Sequence, residues 1–342
     1  MDYLADELGV RPLLVPWLRR NPGWHDLPAL AALTRILRRE RPQIVHTHAA
    51  KGGTVGRMAA LLAFPGRRGR PVLIHTFHGH SLTGYFSPRT AALYRLIEQL
   101  LARPTDLLIA VSHEVRDELV ALGVAPASKF EVVPLGFDLS PFTVAGEPRE
   151  RLRGSLRAEL GLASDARVVT LIARLVPIKR VDRFLRLAGA LLDLEDVRFL
   201  IVGDGEGRET LQSSAAALAL GDRVVWTGFR RDMPAVYFAS DVVVQTSDRE
   251  GTPVSLIEAQ AAGVPVVSTN VGGVRNVVGE DSGRLLARDD LDGLADAVRR
   301  LLDDSELARA TGARAAARTR EAFALERLVG DIVAIYRRVL CG

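Results

Sequence analysis

The chain has 342 residues, of which 48% are hydrophobic and 25% charged, a composition typical of a globular protein and unlike a disordered or fibrous one. At ~100–200 residues per domain, this length favours two domains. The single cysteine, Cys341, excludes an internal disulfide and any multi-cysteine zinc or iron–sulfur site. No apolar run reaches the ~18 residues of a membrane span, and the opening MDYLADELGV is charged where a signal peptide is apolar, so we expect a cytoplasmic protein.

The net charge of +4 is carried by residues 1–150. The basic clusters at 38–41 and 67–70 are best interpreted as solvated helix ends and loops. Weak peripheral contact with anionic lipid at the inner face of the membrane is the alternative interpretation. Nucleic acid is disfavoured as a partner because no aromatic-rich stripe accompanies the charge.

Short β-rich runs alternate with amphipathic stretches along the whole chain. In the first half, strands are predicted at 12–15, 43–48, 72–77, 106–111 and 130–134, with helices near 27–40, 54–64, 88–103 and 112–122. In the second half, strands are predicted near 168–173, 197–202, 223–227, 242–245 and 264–268, with helices between them. Runs such as VVTLIA and FLIVG are apolar on both faces, as parallel strands covered by helices must be. The pattern predicts an α/β protein with two Rossmann-like, doubly wound parallel-sheet domains.

A stretch rich in Pro, Gly and charge at 136–153 is the predicted linker. We therefore predict one domain over 1–145, a second over 146–323, and a C-terminal helix over 324–342 that packs back toward the first domain. Ligands of open α/β sheets bind beyond the carboxyl ends of the strands, so a substrate is expected in a cleft between two facing sheets.

The segment with the strongest functional pattern is 241–266, DVVVQTSDREGTPVSLIEAQAAGVPV. Glu250 lies in the loop after a predicted strand, and Glu258 lies on the helix that follows. Gly251 permits close backbone approach, while Thr252 and Pro253 suit a helix cap and first turn. Two carboxylates at the carboxyl edge of a sheet suit sugar hydroxyls, because an ionised carboxylate accepts several short hydrogen bonds. The competing interpretation is a capped helix with surface glutamates.

A cationic pair follows the first strand of the second domain, in LIARLVPIKRVD. Arg174 comes directly after the apolar run, and Lys179, one of only three lysines in the chain, comes five residues later. Arg as a planar fork and Lys as a compact charge could together hold a diphosphate. The competing interpretation is a pair that merely solvates a loop.

Five of the seven histidines lie between residues 46 and 80. His46 and His48 share one face of a predicted strand. We expect His78, at the end of the next strand, to point into the cleft, and His75 to be a packed core residue. A metal site is disfavoured because no acidic or cysteine ligand is interleaved with these histidines.

Two glycine-rich segments do not match nucleotide-binding motifs. VGDGEG at 202–207 breaks the G-x-G-x-x-G pattern because Arg208 occupies its last position, so a dinucleotide dehydrogenase is disfavoured. Lys51 precedes its glycines instead of following them, which excludes a P-loop.

Taken together, these residues resemble the retaining glycosyltransferases of family 4, which have the GT-B architecture of two facing Rossmann-like domains. The resemblance is carried by Ala173-Arg174-Leu175 with Lys179, by Val202-Gly203-Asp204-Gly205, by Gly228-Phe229, and by Glu250-Gly251-Thr252-Pro253 with Glu258 and Gly263-Val264-Pro265-Val266. The chain departs from the family at its start, where the family's opening strand and Gly-rich loop have no counterpart and only the strand-like PLLV at residue 12 remains.

The resemblance implies a role for each candidate residue. Arg174 and Lys179 would neutralise the donor diphosphate, Glu258 would bind the ribose hydroxyls, and Glu250 with the 251–253 loop would hold the transferred sugar. Gly205 would belong to the same donor site. The base would be bordered by Gly228, Phe229 and Arg230. His78 would contact the sugar from the first, acceptor-side domain, and no metal or other cofactor is expected.

The predicted function is therefore transfer of a hexose or N-acetylhexosamine from a nucleoside-diphosphate sugar to a glycan, lipid-linked or small-molecule acceptor. In this family, retention is usually explained by attack of the acceptor on the same face, so no protein nucleophile is assigned. Two alternatives remain open: a non-hydrolysing UDP-N-acetylglucosamine 2-epimerase of the same fold, and a catalytically dead sugar-nucleotide-binding protein. Product analysis without acceptor separates the first, and an acceptor screen separates the second.

Overall fold

The computed structural model describes residues 10, 12–15, 17–18, 23–66, 69–79 and 87–341. The chain divides into two compact units. The first comprises Met1–Pro134 with Gly330–Gly342, and the second comprises Leu135–Val329. Within the described ranges, no helix combines the length and apolar character needed to cross a bilayer.

The first unit contains a parallel sheet with strand order β1-β2-β3-β4 and helices in the connections between its strands. Its elements in chain order are α1 (Asp26–Glu40), β1 (Ile44–His48), α2 (Ala50–Ala63), β2 (Val72–Phe77), α3 (Pro88–Ala102), β3 (Leu107–Ala110), α4 (His113–Ala121) and β4 (Phe130–Val132). All of β3 is buried, as expected for an inner parallel strand covered on both faces. Ser87 and Ser112 cap α3 and α4 by accepting hydrogen bonds from backbone N–H groups three residues on, which explains where these helices begin.

The second unit contains a parallel sheet with strand order β10-β9-β8-β5-β6-β7. Its elements are α5 (Glu147–Glu159), β5 (Arg167–Ile172), α6 (Val181–Gly189), β6 (Val197–Val202), α7 (Arg208–Gln212), α8 (Ala215–Leu220), β7 (Val224–Gly228), α9 (Met233–Ala239), β8 (Val242–Gln245), α10 (Val254–Ala261), β9 (Val266–Thr269), α11 (Val274–Val277), β10 (Gly283–Leu286), α12 (Leu291–Asp303) and α13 (Ser305–Phe323). A last helix, α14 (Leu325–Cys341), runs from the second unit into the C-terminal part of the first.

The order of the second sheet reverses between β5 and β8, which are direct neighbours although four α-helices and two strands separate them in the chain. The connection after β5 runs toward one side of the sheet and the connection after β8 runs toward the other. The two connections diverge and open a crevice at the carboxyl ends of these strands. This topology predicts the ligand site of the second unit at the loops after β5 and β8.

The predicted α/β class with two Rossmann-like parallel sheets is confirmed, and three predicted strands, 72–77, 197–202 and 242–245, have the observed bounds. The strand predicted at 12–15 is wrong, because these residues form no regular structure. Leu13 and Leu14 are exposed there, and no strand among the described residues pairs with them.

The stretch predicted as a linker at 136–153 instead contains the start of α5. Its arginines make the stretch look solvated in the sequence, but in the structure they donate to backbone carbonyls elsewhere in the second unit, to which the stretch itself belongs. Arg149 donates to the carbonyl of Ala262, and Arg153 donates to that of Phe238. The sequence pattern also missed β10, a short strand in which the three residues after the buried Gly283 are only partly buried.

Candidate active site

The loops that follow β5 and β8 are hydrogen-bonded to each other at the carboxyl edge of the second sheet. The backbone N–H of Asp248 donates to the carbonyl of Ile178 at 2.9 Å. The Thr246 hydroxyl donates to the carbonyls of Lys179 and Arg180, at 3.3 and 3.0 Å. The two loops therefore form one structure in the crevice where the strand order reverses.

Lys179 and Glu250 meet in this crevice. The Lys179 Nζ lies 2.6 Å from Glu250 Oε1, and the Ser247 hydroxyl donates to the same oxygen at 2.5 Å. The Glu250 side chain is only 8% exposed, whereas that of Lys179 is 27% exposed. A partly exposed ammonium held by a buried carboxylate is a fixed cation that an anionic ligand can approach from solvent.

A network of charges fixes the backbone on either side of Lys179. Arg180 has a φ of 50°, a left-handed conformation, and its side chain pairs with Asp182 and Asp248 at 2.9 and 3.2 Å. Arg183 is buried and donates to the Thr246 carbonyl at 2.6 Å and to Asp248 at 3.1 Å. Burial alone would raise the pKa of Asp248, but the hydrogen bonds from Arg180 and Arg183 outweigh it and hold the pKa below its usual value.

Two glycines that the sequence interpretation missed support the loop of Glu250. A Cβ on Gly272 would lie 2.0 Å from the Glu250 carbonyl oxygen, and one on Gly273 would lie 2.1 Å from that of Gly251. The Gly273 N–H donates to the Glu250 carbonyl at 3.2 Å. The signal in the sequence was a Gly-Gly pair directly after a predicted strand, where only glycine permits this approach.

The predicted capping role of Thr252 is wrong. Helix α10 begins at Val254, as predicted, but Pro253 precedes it and no side chain caps its first turn. The first backbone N–H groups of α10 are therefore left without a side-chain acceptor.

Glu258, on α10, is held by a residue that the sequence interpretation also missed. The buried Tyr237 on α9 donates its hydroxyl to Glu258 Oε2 at 2.8 Å. Burial raises the pKa of Glu258, and this hydrogen bond lowers it only in part. Burial and the neighbouring carboxylate raise the pKa of Tyr237, so the phenol remains a neutral donor. A polar ring in the otherwise apolar helix MPAVYFA was the only signal for it.

Arg174 lies on the exposed side of the same edge. Its side chain is 70% exposed and pairs with Glu206 at 3.1 Å. The loop that carries Glu206 packs closely on the loop of Arg174, because a Cβ on Gly203 would lie 1.9 Å from the Ala173 carbonyl oxygen and one on Gly205 would lie 2.6 Å from that of Leu175. Backbone packing thus accounts for the glycine at 205, whose donor contact stays a prediction.

The segment after β7 contains the three residues predicted to border the base. The carbonyl of Gly228 accepts from the Gly203 N–H at 2.8 Å, and Phe229 is 73% exposed. Arg230 is held by two carboxylates, those of Glu159 at 2.7 Å and Asp232 at 2.6 Å. These pairs raise the pKa of Arg230 and favour a structural role for its guanidinium.

The histidines cluster at the carboxyl edge of the first sheet. His78 Nε2 lies 3.0 Å from His48 Nδ1, and the rings of His46 and His48 lie 4.3 Å apart. Burial and the two neighbouring histidines lower the pKa of His46 to about 4. His75 is fully buried, as predicted, and burial next to Arg57 lowers its pKa to about 2. The fifth histidine of this cluster, at position 80, lies outside the described residues.

Comparison with known proteins gives the family of the chain. The model described as "Glycosyltransferase Family 4" matches residues 2–141, and that described as "Glycosyl transferases group 1" matches residues 153–318. The UDP-Gal:alpha-D-GlcNAc-diphosphoundecaprenol alpha-1,3-galactosyltransferase of Escherichia coli is 33% identical over 315 residues, which cover 90% of this chain and 78% of that protein. This chain belongs to the family 4 glycosyltransferases.

The chain is also similar to a second relative and to two solved structures. The N-acetyl-alpha-D-glucosaminyl L-malate synthase of Bacillus anthracis is 30% identical, over 92% of this chain and 80% of that protein. HepE of Anabaena in complex with UDP has a TM-score of 0.83 at 22% identity, over 98% of this chain and 89% of that one. A glycosyltransferase from Rickettsia africae has a TM-score of 0.82 at 19% identity, over 99% and 87%. The structural matches support the GT-B fold.

In this family 4 glycosyltransferase, the four predicted charged residues of the second unit form three local arrangements. Lys179 contacts Glu250, whereas Arg174 pairs with Glu206 and Glu258 accepts from a tyrosine. Within the described ranges, no hydrogen bond or ion pair joins one arrangement to another. All three lie on or just after the loops at the carboxyl edge of the second sheet.

Proposed function

We propose that this glycosyltransferase moves a hexose or N-acetylhexosamine from a nucleoside-diphosphate sugar to a glycan or lipid-linked acceptor, with retention at the anomeric carbon. The observation that carries the proposal is the contact of Lys179 with Glu250 at the reversal of strand order. This contact pairs a cation suited to phosphate with a carboxylate suited to sugar hydroxyls, in the crevice where open α/β sheets bind their ligands.

The proposed reaction requires no protein nucleophile. The bond from the anomeric carbon to the diphosphate oxygen breaks, and negative charge develops on the leaving group beside Lys179 and Arg174, which stabilise it. The acceptor oxygen bonds to the anomeric carbon on the same face, and its proton passes to the departing diphosphate. Glu250 acts as a binder of the sugar and not as a base.

The remaining residues orient the donor in this proposal. Glu258, fixed by its tyrosine partner, accepts hydrogen bonds from the ribose hydroxyls. The loop at 251–253 holds the transferred sugar together with Glu250. The segment at 228–230 borders the base, and His78 contacts the sugar. Arginine and lysine supply the positive charge, so we expect a chelator to leave the transfer rate unchanged.

The donor and acceptor classes are supported by the relative from Escherichia coli. Its name gives UDP-Gal as donor and a diphosphoundecaprenol-linked N-acetylglucosamine as acceptor. We propose a uridine diphosphate sugar as donor here, and a lipid-linked glycan presented at the inner face of the membrane as acceptor.

Calorimetric titration with UDP-sugars tests the donor site. We expect Lys179→Ala, Arg174→Ala and Glu258→Ala each to weaken donor binding by at least ~10-fold, because each removes a charged hydrogen-bond partner of the ligand. Arg151→Ala is the matched control, because the Arg151 side chain is 71% exposed and lies on α5. Wild-type affinity in all three site variants would remove the donor-site assignment.

A transfer assay then tests the reaction class. Incubation of a UDP-sugar with a lipid-linked N-acetylglucosamine acceptor should yield an α-linked product, and nuclear magnetic resonance of its anomeric proton reports retention. A sugar altered at C2 in the absence of acceptor would indicate the epimerase instead. Donor binding without transfer to any acceptor of a broad panel would indicate the binding protein.

A further inference from the structure

We propose that the outer face of α3, together with the adjoining part of α2, binds the surface of an anionic lipid bilayer. We call this surface the leucine face and define it by Leu93, Leu96 and Leu100 of α3 and Met58 and Leu62 of α2. This membrane-binding proposal rests on the proposed function only for its purpose, which is to bring the protein to a lipid-linked acceptor. The residues that support it all lie in the first unit.

Three leucines form a continuous apolar stripe on α3. Leu93, Leu96 and Leu100 are 55%, 51% and 49% exposed, and their spacing of three and four residues places them on one side of the helix. A single exposed leucine is ordinary, but a helical stripe of three is not explained by packing within the unit.

The exposed charges on α3 and directly after it have one sign. Arg89, Arg95 and Arg103 are exposed on α3 or directly after it. The only carboxylate of α3 is Glu98, which is buried and paired with the fully buried Arg57 of α2 at 2.7 Å. The solvent side of α3 thus presents leucine and arginine without an acidic residue of its own, as helices that lie in the interface of anionic membranes do.

Two more exposed apolar side chains lie on α2, the helix that a buried ion pair joins to α3. The Arg57–Glu98 pair joins the two helices, and Met58, the next residue after Arg57, is 40% exposed. Leu62, one turn further, is 51% exposed. Five large apolar side chains are therefore exposed on two helices that contact each other through this ion pair.

A bilayer fits this surface better than a second copy of the chain. In a symmetric dimer the same patch meets itself, so the arginines would lie close to their own copies and repel. At an anionic membrane, the arginine stems lie along the apolar boundary while their guanidinium groups reach lipid phosphates.

Vesicle co-sedimentation of the full chain tests the proposal. We expect binding to vesicles of phosphatidylglycerol with phosphatidylcholine, weaker binding at high salt, and little binding to phosphatidylcholine alone. Leu96→Gln with Leu100→Gln should lower the partition coefficient more than ~10-fold, since it removes most of the inserted apolar area. Arg89→Gln with Arg95→Gln should lower it ~25-fold, about fivefold for each charge.

The matched controls are Leu218→Gln, at a 68% exposed position of the second unit, and Arg151→Gln, and neither should change vesicle binding. Equal binding of wild type and leucine variants would overturn the proposal. A wild-type dimer in sedimentation velocity that the leucine variants abolish, without vesicle binding, would identify an interface between copies instead. Calorimetric donor affinity should stay unchanged in these variants, so failure here is distinguishable from failure of the proposed donor site.

Discussion

Two carboxylates in the candidate site accept hydrogen bonds from Lys179 and Tyr237, donors that are distant from them in the sequence. Glu250 and Glu258 look alike in the sequence, as acidic residues on either side of a helix start. In the structure, Glu250 accepts from Lys179 and Ser247, while Glu258 accepts from Tyr237. Each carboxylate is thus oriented before any ligand arrives, which reduces the entropy lost on binding.

The Tyr237 hydroxyl should control the pH dependence of donor binding. Its hydrogen bond lowers the pKa of Glu258 against the effect of burial, so Tyr237→Phe should raise that pKa further. The carboxyl then takes up its proton at higher pH and loses the charge that strengthens hydrogen bonds from ribose. We expect donor affinity to fall ~3–10-fold near neutral pH, and its decline on acidification to begin at higher pH than in wild type.

Calorimetry over a pH series measures both effects. Tyr336→Phe is the control, since it removes the same hydroxyl from the first unit, where Tyr336 lies 2.7 Å from His46. Identical affinity profiles for Tyr237→Phe and wild type would show that Glu258 does not bind the donor as a carboxylate.

At the level of whole loops and helices, close backbone contacts position the loop that carries Glu250. The loop that carries Glu250 is bound on one side by the loop of Lys179 and on the other by Gly272 and Gly273. Both contacts join loops that other helices or strands separate along the chain. The position of Glu250 therefore depends on the order of three adjacent strands, β9, β8 and β5.

Gly272→Ala should displace this loop. Its Cβ would lie 2.0 Å from a backbone oxygen and its φ is 50°, so we expect a loss of about 2–4 kcal/mol in unfolding free energy and at least ~10-fold in transfer rate. Gly161→Ala isolates the backbone strain, because its φ is 65° but nothing lies within 4 Å of its Cβ. Urea denaturation and initial rates measure the two losses, and equal losses in both variants would contradict the contact argument.

The burial and pairing of individual strands and helices explain why some of them were predicted correctly from the sequence and others were not. Strands buried on both faces are mostly apolar, so β2, β6 and β8 were predicted with their observed bounds. The run at 12–15 is also apolar, but it pairs with no strand of the part of the chain that the structure describes. Helix α5 was obscured by its charges, whose acceptors are backbone carbonyls of residues 85 and 113 positions away in the chain.

In the whole molecule, the chain passes between its two units twice, near Leu135 and near Val329. The two segments beside these points are hydrogen-bonded to each other within the second unit. The Phe137 N–H donates to the Phe323 carbonyl at 2.9 Å, and the Leu325 N–H donates to the Phe137 carbonyl at 3.0 Å. The outgoing and returning segments are thus joined on the second-unit side.

Gly136→Ala should weaken this junction. Its Cβ would lie 2.5 Å from Leu328 Cβ and 2.8 Å from the Ala324 carbonyl oxygen, so we expect a loss of about 1–3 kcal/mol in unfolding free energy. Gly330→Ala, in α14 with nothing near its Cβ, should instead gain about 0.5–1 kcal/mol, because alanine is the better helix former. Urea denaturation of both variants measures these changes. An unfolding free energy of Gly136→Ala equal to that of the wild type would contradict the close packing.

The amino-acid pattern was sufficient to predict the class of fold, most of the strands and the two segments that carry Arg174, Lys179, Glu250 and Glu258. Burial on both faces of a strand and turn chemistry are local properties, and they can be read along the chain. The partners of these residues were decided only by the tertiary structure. Tyr237 and the glycines at 272 and 273 reach the site through strand order and close packing, and a linear pattern contains neither.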